Sequence, residues 1–332
     1  MRIVIAGAGS IGCFVGGLLA ARHDVTLLGR ARVLDAIRAN GLQFSDFAGL
    51  DRHVAPGDLR LSQDPACLAV TDLIIVAVKS ADTAGMAAQI ATHAPRSAPV
   101  LSFQNGLAAI DALRAGLPGH DCRAAMVPFN VVPLGPGALH RASSGDIVIG
   151  AGPGALEGPL SVPDLPVIAR ADITAVQWGK LVINLTNALN ALSGLTLREM
   201  LLQPAWRRLM AAQMAEALGV LRAAGIPVAS TLPVPMGLVP YVLRLPTPVF
   251  ARVAAQMLTL DPQARSSMAY DVQAGRGTEI DQLQGEILQL AARSGRSAPI
   301  VTRVAQAVHD VTARGETAPH LPPDVLWPQA VR

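Results

Sequence analysis

The stretch Arg2-Ile3-Val4-Ile5-Ala6-Gly7-Ala8-Gly9-Ser10-Ile11-Gly12 constrains the fold of this chain more than any other. A β-branched apolar run from Arg2 to Ala6 leads directly into glycines at positions 7, 9 and 12, and a helical stretch from Cys13 to Ala21 follows. The order is strand, glycine turn, helix. The first glycine allows the tight turn, the second lets backbone approach a pyrophosphate, and the third permits close packing of helix on strand. The N-terminus of the helix attracts phosphate charge. Gly7, Ala8, Gly9, Ser10, Ile11 and Gly12 are therefore candidate dinucleotide-binding residues. Glycine spacing alone is a weak signal, but it is much stronger inside a strand–turn–helix unit.

The following strand, Val25-Thr26-Leu27-Leu28, ends in Gly29-Arg30, with Arg32 beyond. An acidic residue there would read the ribose 2′-hydroxyl of NAD, whereas an arginine can pair with a 2′-phosphate, so the sequence favours NADP(H). A merely solvated arginine is the alternative. Residues 42–62 read as a short excursion of strands and turns. The run Asp72 to Val78 is continuously apolar after its first residue, as in a fully buried strand of a parallel sheet, and Lys79 stands at its carboxyl end. Ligands of open α/β sheets bind outside those carboxyl ends. Pro99 to Phe103 repeats the layout and ends in Gln104-Asn105-Gly106. Asn105 reads either as a group facing that crevice or as an Asn-Gly turn residue with positive φ. From Ala124 to Gly150, alternating stretches around Gly135-Pro136-Gly137 suggest strands closing the sheet, and residues 152–166 are rich in proline and glycine, like a linker.

Composition narrows the class. At 332 residues the chain has room for two domains, expected at residues 1–168 and 169–320. With 51% hydrophobic and 15% charged residues it is not disordered, and its apolar second half is compatible with a homodimer. The net charge of +3 comes from scattered arginines without a basic block, which argues against nucleic-acid binding. No apolar run reaches membrane-spanning length uninterrupted, and the N-terminus lacks a signal-type segment, so a cytoplasmic protein is expected. Cys13, Cys67 and Cys122 are an odd number at wide spacing and the seven histidines form no ligand pattern, so no metal site is expected.

Only two of the 27 basic residues are lysines, Lys79 and Lys180. An ammonium can lose its proton near neutral pH when its surroundings depress its pKa, and a guanidinium cannot. Lys180 opens the run Lys180-Leu181-Val182-Ile183-Asn184-Leu185-Thr186-Asn187, where helical spacing puts Lys180, Asn184 and Asn187 on one stripe of an otherwise apolar helix. A polar stripe on a buried helix must be paired or must line a site. Further helices are expected at Leu197–Ala224 and near Ile280–Arg293. Ser266-Ser267-Met268 begins another helix, with the hydroxyls read as N-caps, and Thr278-Glu279-Ile280-Asp281 opens the last, with Glu279 able to favour the helix dipole.

Taken together, the glycine fingerprint with Arg30, Val78-Lys79-Ser80, Gln104-Asn105-Gly106, Lys180 with Asn184, Ser266-Ser267-Met268 and Thr278-Glu279-Ile280-Asp281 resemble the ketopantoate reductase (2-dehydropantoate 2-reductase) family, in order and over roughly residues 1–315. The resemblance implies an α/β fold, an N-terminal Rossmann-type dinucleotide-binding domain followed by an all-helical C-terminal domain. It implies NADPH and a 2-oxo acid meeting in a cleft, with ketopantoate reduced to pantoate for pantothenate and coenzyme A biosynthesis. Lys180 then matches the general acid, Asn184 and Ser267 match groups that hold substrate, and Glu279 matches the carboxylate beside the nicotinamide ribose and the lysine. Lys79 and Asn105 match cofactor contacts.

Three departures lie in the second half. Ala188 stands where the family often has a second asparagine, with Asn187 one position early; Ala264 replaces a polar residue; and the proline-rich segment 228–262 is long. These put the substrate in question and leave the reaction class intact. A relative acting on another 2-oxo acid is the second reading. A non-catalytic NADP(H)-binding protein is the third, and it gives no reason for Lys180 and Glu279.

Overall fold

Strand β1 (Arg2–Ala6) lies inside an eight-stranded sheet. Its partners are β2 (Asp24–Leu28), β5 (Arg60–Ser62), β6 (Leu73–Val76), β7 (Val100–Ser102), β8 (Cys122–Met126), β11 (Ile147–Gly150) and β12 (Val167–Arg170), in the order β12-β11-β8-β7-β6-β1-β2-β5. All neighbours are parallel except β8 and β11, which run antiparallel. The computed structural model describes residues 1–258 and 261–328 and divides into two units, Met1–Thr174 and Ala175–Arg332.

The first unit is the Rossmann-type domain. Strands β1, β6 and β7 are buried on both faces, which explains why their sequences read as continuous apolar runs instead of alternating ones. Helices α1 (Ser10–Leu19), α2 (Ala31–Asn40), α3 (Thr83–His93), α4 (Ala108–Gly116) and the short α5 (Glu157–Leu160) accompany the sheet. Two apolar layers form its core. One gathers Ile3, Ile5, Phe14, Leu27 and Leu101; the other gathers Val4, Ile74, Val76, Val100 and Leu113. Alternate residues of β1 thus feed opposite faces, as the two-residue period of a strand requires.

The stretch 124–150 departs from expectation. Only β8 and β11 extend the main sheet. Strands β9 (Val131–Gly135) and β10 (Ala138–Arg141) join β3 (Leu42–Asp46) and β4 (Asp51–Val54) in a separate sheet of order β4-β3-β10-β9. Long-range packing decides this: Phe44 of β3 stacks edge-on against Phe14 of α1, and Arg141 of β10 forms a buried ion pair with Asp46 of β3. Neither contact is visible in local alternation.

The second unit is helical: α6 (Ile173–Asn184, whose first turn carries the boundary), α7 (Thr186–Ser193), α8 (Leu197–Leu202), α9 (Pro204–Ala223), α10 (Val239–Leu243), α11 (Thr247–Val253), α12 (Ser267–Gln273), α13 (Ile280–Arg293) and α14 (Pro299–Ala313). The single helix expected from Leu197 to Ala224 is two. Pro204 takes the first turn of α9, where a missing N–H is tolerated, and Gln203 stands between the helices in extended conformation. Within the long segment, residues 243–250 are held by Arg207 of α9, fully buried, whose guanidinium donates to the carbonyls of Leu243 and Leu245, and to that of Leu201 in α8, at 2.9–3.0 Å and lies 4.4 Å from the ring centre of Phe250. Among the described residues no helix is long and apolar enough to cross a membrane.

Candidate functional site

In the sheet unit, strand order reverses at β1, with β2 on one side and β6 on the other, and the loops leaving the carboxyl ends of these strands meet. Gly7 has φ +120, and a β-carbon there would stand 2.7 Å from the carbonyl carbon of Ala77, just past β6. A β-carbon on Gly12 would stand 2.0 Å from the carbonyl oxygen of Gly7. Both positions therefore require glycine, one for the turn and one for helix-to-turn contact. The amides of Gly7 and Ala8 both donate to the Leu28 carbonyl, at 3.0 and 3.1 Å, which ties the turn to the end of β2 beside Gly29 and Arg30.

Gly9 is the N-cap of α1 and supplies no side-chain cap, and the first turn, Ser10 and Ile11 included, carries no acidic residue. A cradle with bare helix N–H groups and no negative charge fits the pyrophosphate of a dinucleotide. Gln104 organises the neighbouring loops. Buried to 8% exposure, its Nε2 donates to the Val78 carbonyl at 3.1 Å and to the Thr83 hydroxyl at 2.7 Å, which draws the loop carrying Asn105 to the loop carrying Lys79. Lys79 and Asn105 are both exposed. Asn105 does not take the positive φ of the Asn-Gly turn; Gly106 does, at φ +80, so turn geometry does not account for the asparagine. Arg30 is exposed and pairs with Asp82 at 3.2 Å.

In the helical unit, Lys180 sits in the third turn of α6 with intermediate exposure, and burial lowers its ammonium pKa to about 8. That brings proton exchange close to neutral pH. Gly179 lets the chain pass closely there: a β-carbon on it would stand 1.9 Å from the Ala229 carbonyl oxygen, and the Ala229 amide donates to Ala175 at 2.9 Å.

The continuous helix expected through Asn187 is interrupted. Asn184, 8% exposed, closes α6, Leu185 lies between the helices, and Asn187 belongs to α7 with intermediate exposure. Leu185 nevertheless keeps helical dihedrals, φ −55 and ψ −27, and its amide still donates to the Leu181 carbonyl at 3.0 Å, so the interruption lies in the carbonyl side of the ladder. At the break the Leu185 carbonyl accepts from Gln213 Nε2 of α9 at 3.0 Å and from Gln284 Nε2 of α13 at 2.8 Å. Side chains inserted at a helix ladder are an established cause of such breaks.

The remaining residues gather around this joint. Ser266, fully buried, caps α12 by accepting from the Ala269 amide at 3.1 Å and donates to the Asn187 carbonyl at 3.0 Å. Its own amide donates to Asn190 Oδ1 at 2.8 Å. The capping reading thus belongs to Ser266, and Ser267 is left exposed on the first turn of α12, tied through Ser266 to Asn187. Glu279 is the N-cap residue of α13, yet its side chain makes no capping bond, while Gln284 fastens the same helix to the joint after Asn184.

Sequence reasoning missed Gln104, Asn190, Gln213, Ser266 as a tie, and Gln284. A signal was present. Gln284 lies beside Leu283 on the apolar face of α13, and Gln213 lies between Met210 and Met214 on α9; buried amides there must find partners. Among the described residues, no group of three or more His, Cys, Asp or Glu is arranged to hold a metal ion.

Residues 3–154 match the family model of ketopantoate reductase PanE/ApbA, and residues 172–312 match that of its C-terminal part. Over 318 residues the chain is 28% identical to the 2-dehydropantoate 2-reductase of Halobacterium salinarum, spanning 93% of this chain and 98% of that protein. A PanE/ApbA family ketopantoate reductase from Ralstonia eutropha JMP134 is similar in structure, with TM-score 0.80 and 29% identity over 95% of this chain and 100% of that one. D-mandelate dehydrogenase, solved with NADH and anilino(oxo)acetate, shares the fold at TM-score 0.77 and 21% identity over 95% of this chain and 99% of its own. With both parts of the family pattern matched in order along one chain, the protein belongs to the ketopantoate reductase family of oxidoreductases.

Proposed function

We propose that this chain reduces a 2-oxo acid to the 2-hydroxy acid with NADPH, and that 2-dehydropantoate, giving pantoate, is its substrate. The observation that carries the reading is Lys180, one of two lysines in the chain, held where burial brings its pKa to about 8. The family uses NAD(P)H, and the glycine cradle with Arg30 supports the phosphorylated form. The dinucleotide, when bound, supplies the hydride. Gly7, Ala8, Gly9, Ser10, Ile11 and Gly12 would hold its pyrophosphate, Arg30 its 2′-phosphate, and Lys79 and Asn105 would make further contacts to it from the sheet unit.

The Lys180 ammonium hydrogen-bonds the ketone oxygen, offsets the negative charge that builds there during reduction, and then donates its proton to it. Asn184, Asn187 and Ser267 supply donors for carboxylate and hydroxyl oxygens. Glu279, matching the family's carboxylate, would orient the ammonium. A panel of 2-oxo acids assayed by NADPH absorbance tests the reading; no turnover on any member rejects it.

A second reading, an apolar branched 2-oxo acid as substrate, is favoured by one observation. Ala188 and Ala264 are buried, at 0% and 3% exposure, where the resembling family offers polar side chains. We further propose a cytoplasmic homodimer. Supporting it are three free cysteines and the exposed apolar side chains of Leu238, Tyr241, Val249 and Val253. Sedimentation equilibrium that finds only monomer rejects the dimer.

A further inference from the structure

We propose that Asp82 sets the cofactor selectivity of this enzyme by competing for Arg30, an inference that rests on the dinucleotide reading of the sheet unit. Asp82 closes the 3-10 turn Ser80–Asp82 that runs straight into α3, and its own backbone is helical, at φ −91 and ψ −1. Its side chain points away from the turn it ends and accepts from Arg30 Nη2 across β1, at 3.2 Å.

The turn that aims it is fastened from beneath. The Asp82 amide donates to the Lys79 carbonyl at 2.9 Å, and the Thr83 hydroxyl donates to the Ser80 carbonyl at 2.8 Å. Buried Gln104 donates to that same Thr83 hydroxyl at 2.7 Å, and Thr83 is 2% exposed. The backbone that carries the carboxylate is thus anchored, and of the two exposed partners Arg30, with 87% of its side chain accessible against 51% for Asp82, reaches further into solvent.

Arg30 is the guanidinium that would meet a ribose 2′-phosphate. A phosphate drawn to it must share it with the Asp82 carboxylate and lie close to that negative charge, while a 2′-hydroxyl carries no charge and can donate to the carboxylate. Asp82 therefore narrows the preference for NADPH that Arg30 creates and keeps NADH binding within reach.

The test is equilibrium titration of the substrate-free protein with NADPH and with NADH, followed by cofactor fluorescence, for the unmodified chain, Asp82→Asn, Asp82→Ala and Arg30→Ala. Both Asp82 variants are expected to raise the NADPH-to-NADH affinity ratio by about 3- to 30-fold at low salt, with a smaller gain at high salt, as for exposed charges. Arg30→Ala should lower NADPH affinity and leave NADH affinity nearly unchanged. If Arg30→Ala weakens NADPH while both Asp82 variants leave the ratio unmoved, the role of Asp82 is overturned and the role of Arg30 stands. If the unmodified chain binds neither dinucleotide, or Arg30→Ala leaves NADPH affinity unchanged, the underlying reading fails and the inference falls with it.

Discussion

Gln284 donates its side-chain amide to the backbone carbonyl of Leu185 at 2.8 Å, and this bond joins α13, which follows Glu279, to the joint that follows Asn184. The two residues are 99 positions apart in sequence. Gln213 reaches the same carbonyl from α9 at 3.0 Å, so three helices are indexed on one oxygen.

Replacing Gln284 with Leu keeps the volume but removes a donor from a fully buried site. Loss of stability of no more than about 1 kcal/mol is expected, because Gln213 still satisfies the carbonyl and leucine also removes Gln284 Oε1, which is buried without a hydrogen-bond partner. Turnover should fall more than NADPH affinity, since the change loosens α13 in the helical unit and leaves the glycine cradle untouched. Denaturant unfolding and cofactor titration check the two parts; an unchanged kcat alongside the stability loss would show that the bond only holds the fold.

Lys180→Ala is expected to lower kcat by about 10²–10⁴-fold, the range for a positioned general acid, with NADPH still bound. Lys180→Arg should restore charge without restoring proton donation, because a guanidinium holds its proton. Near-normal turnover in the alanine variant would exclude the assigned role.

The depressed pKa of Lys180 has two consequences with opposite slopes. In reduction the protonated form is the active one, so kcat/KM should fall as pH rises through about 8. Stability runs the other way. Between about 8 and the ordinary value of 10.5 the unfolded chain still binds a proton that the folded chain has released. The penalty of burying the ammonium is therefore full below about pH 8 and fades as pH rises toward 10.5. Unfolding of the native chain and of Lys180→Met across this window measures the difference, and identical profiles would refute the shift.

The buried alanines at 188 and 264 make a statement about substrate. A site that hydrogen-bonds a hydroxyl rejects an analogue lacking it by about 10⁴–10⁵-fold. With two candidate polar partners replaced by alanine, the ratio of kcat/KM for 2-dehydropantoate over 2-oxoisovalerate should lie below about 10⁴. A larger ratio would restore a dedicated hydroxyl-reading pocket.

By itself the sequence determined whatever depends on local chemistry. Gly7 and Gly12 declare the cradle because no other residue fits their turn and contact, and the unbroken apolar runs of β6 and β7 declare a buried parallel sheet. Helix α13 was legible from its apolar period, from Ile280 to Arg293. Lys180 stood out because lysine is so rare here. Tertiary structure decided what depends on partners distant in sequence. It broke the helix at Leu185, because two glutamines from other helices claim its carbonyl. It assigned capping to Ser266 rather than Ser267, because only Ser266 faces Asn187 and Asn190. It drew β9 and β10 into a second sheet, because Phe44 and Arg141 find partners there. It also brought Asp82 beside Arg30, 52 positions away. Hydrogen-bonding groups must be satisfied once buried, but which group satisfies them is set by the packing of segments whose separation along the chain carries no trace of it.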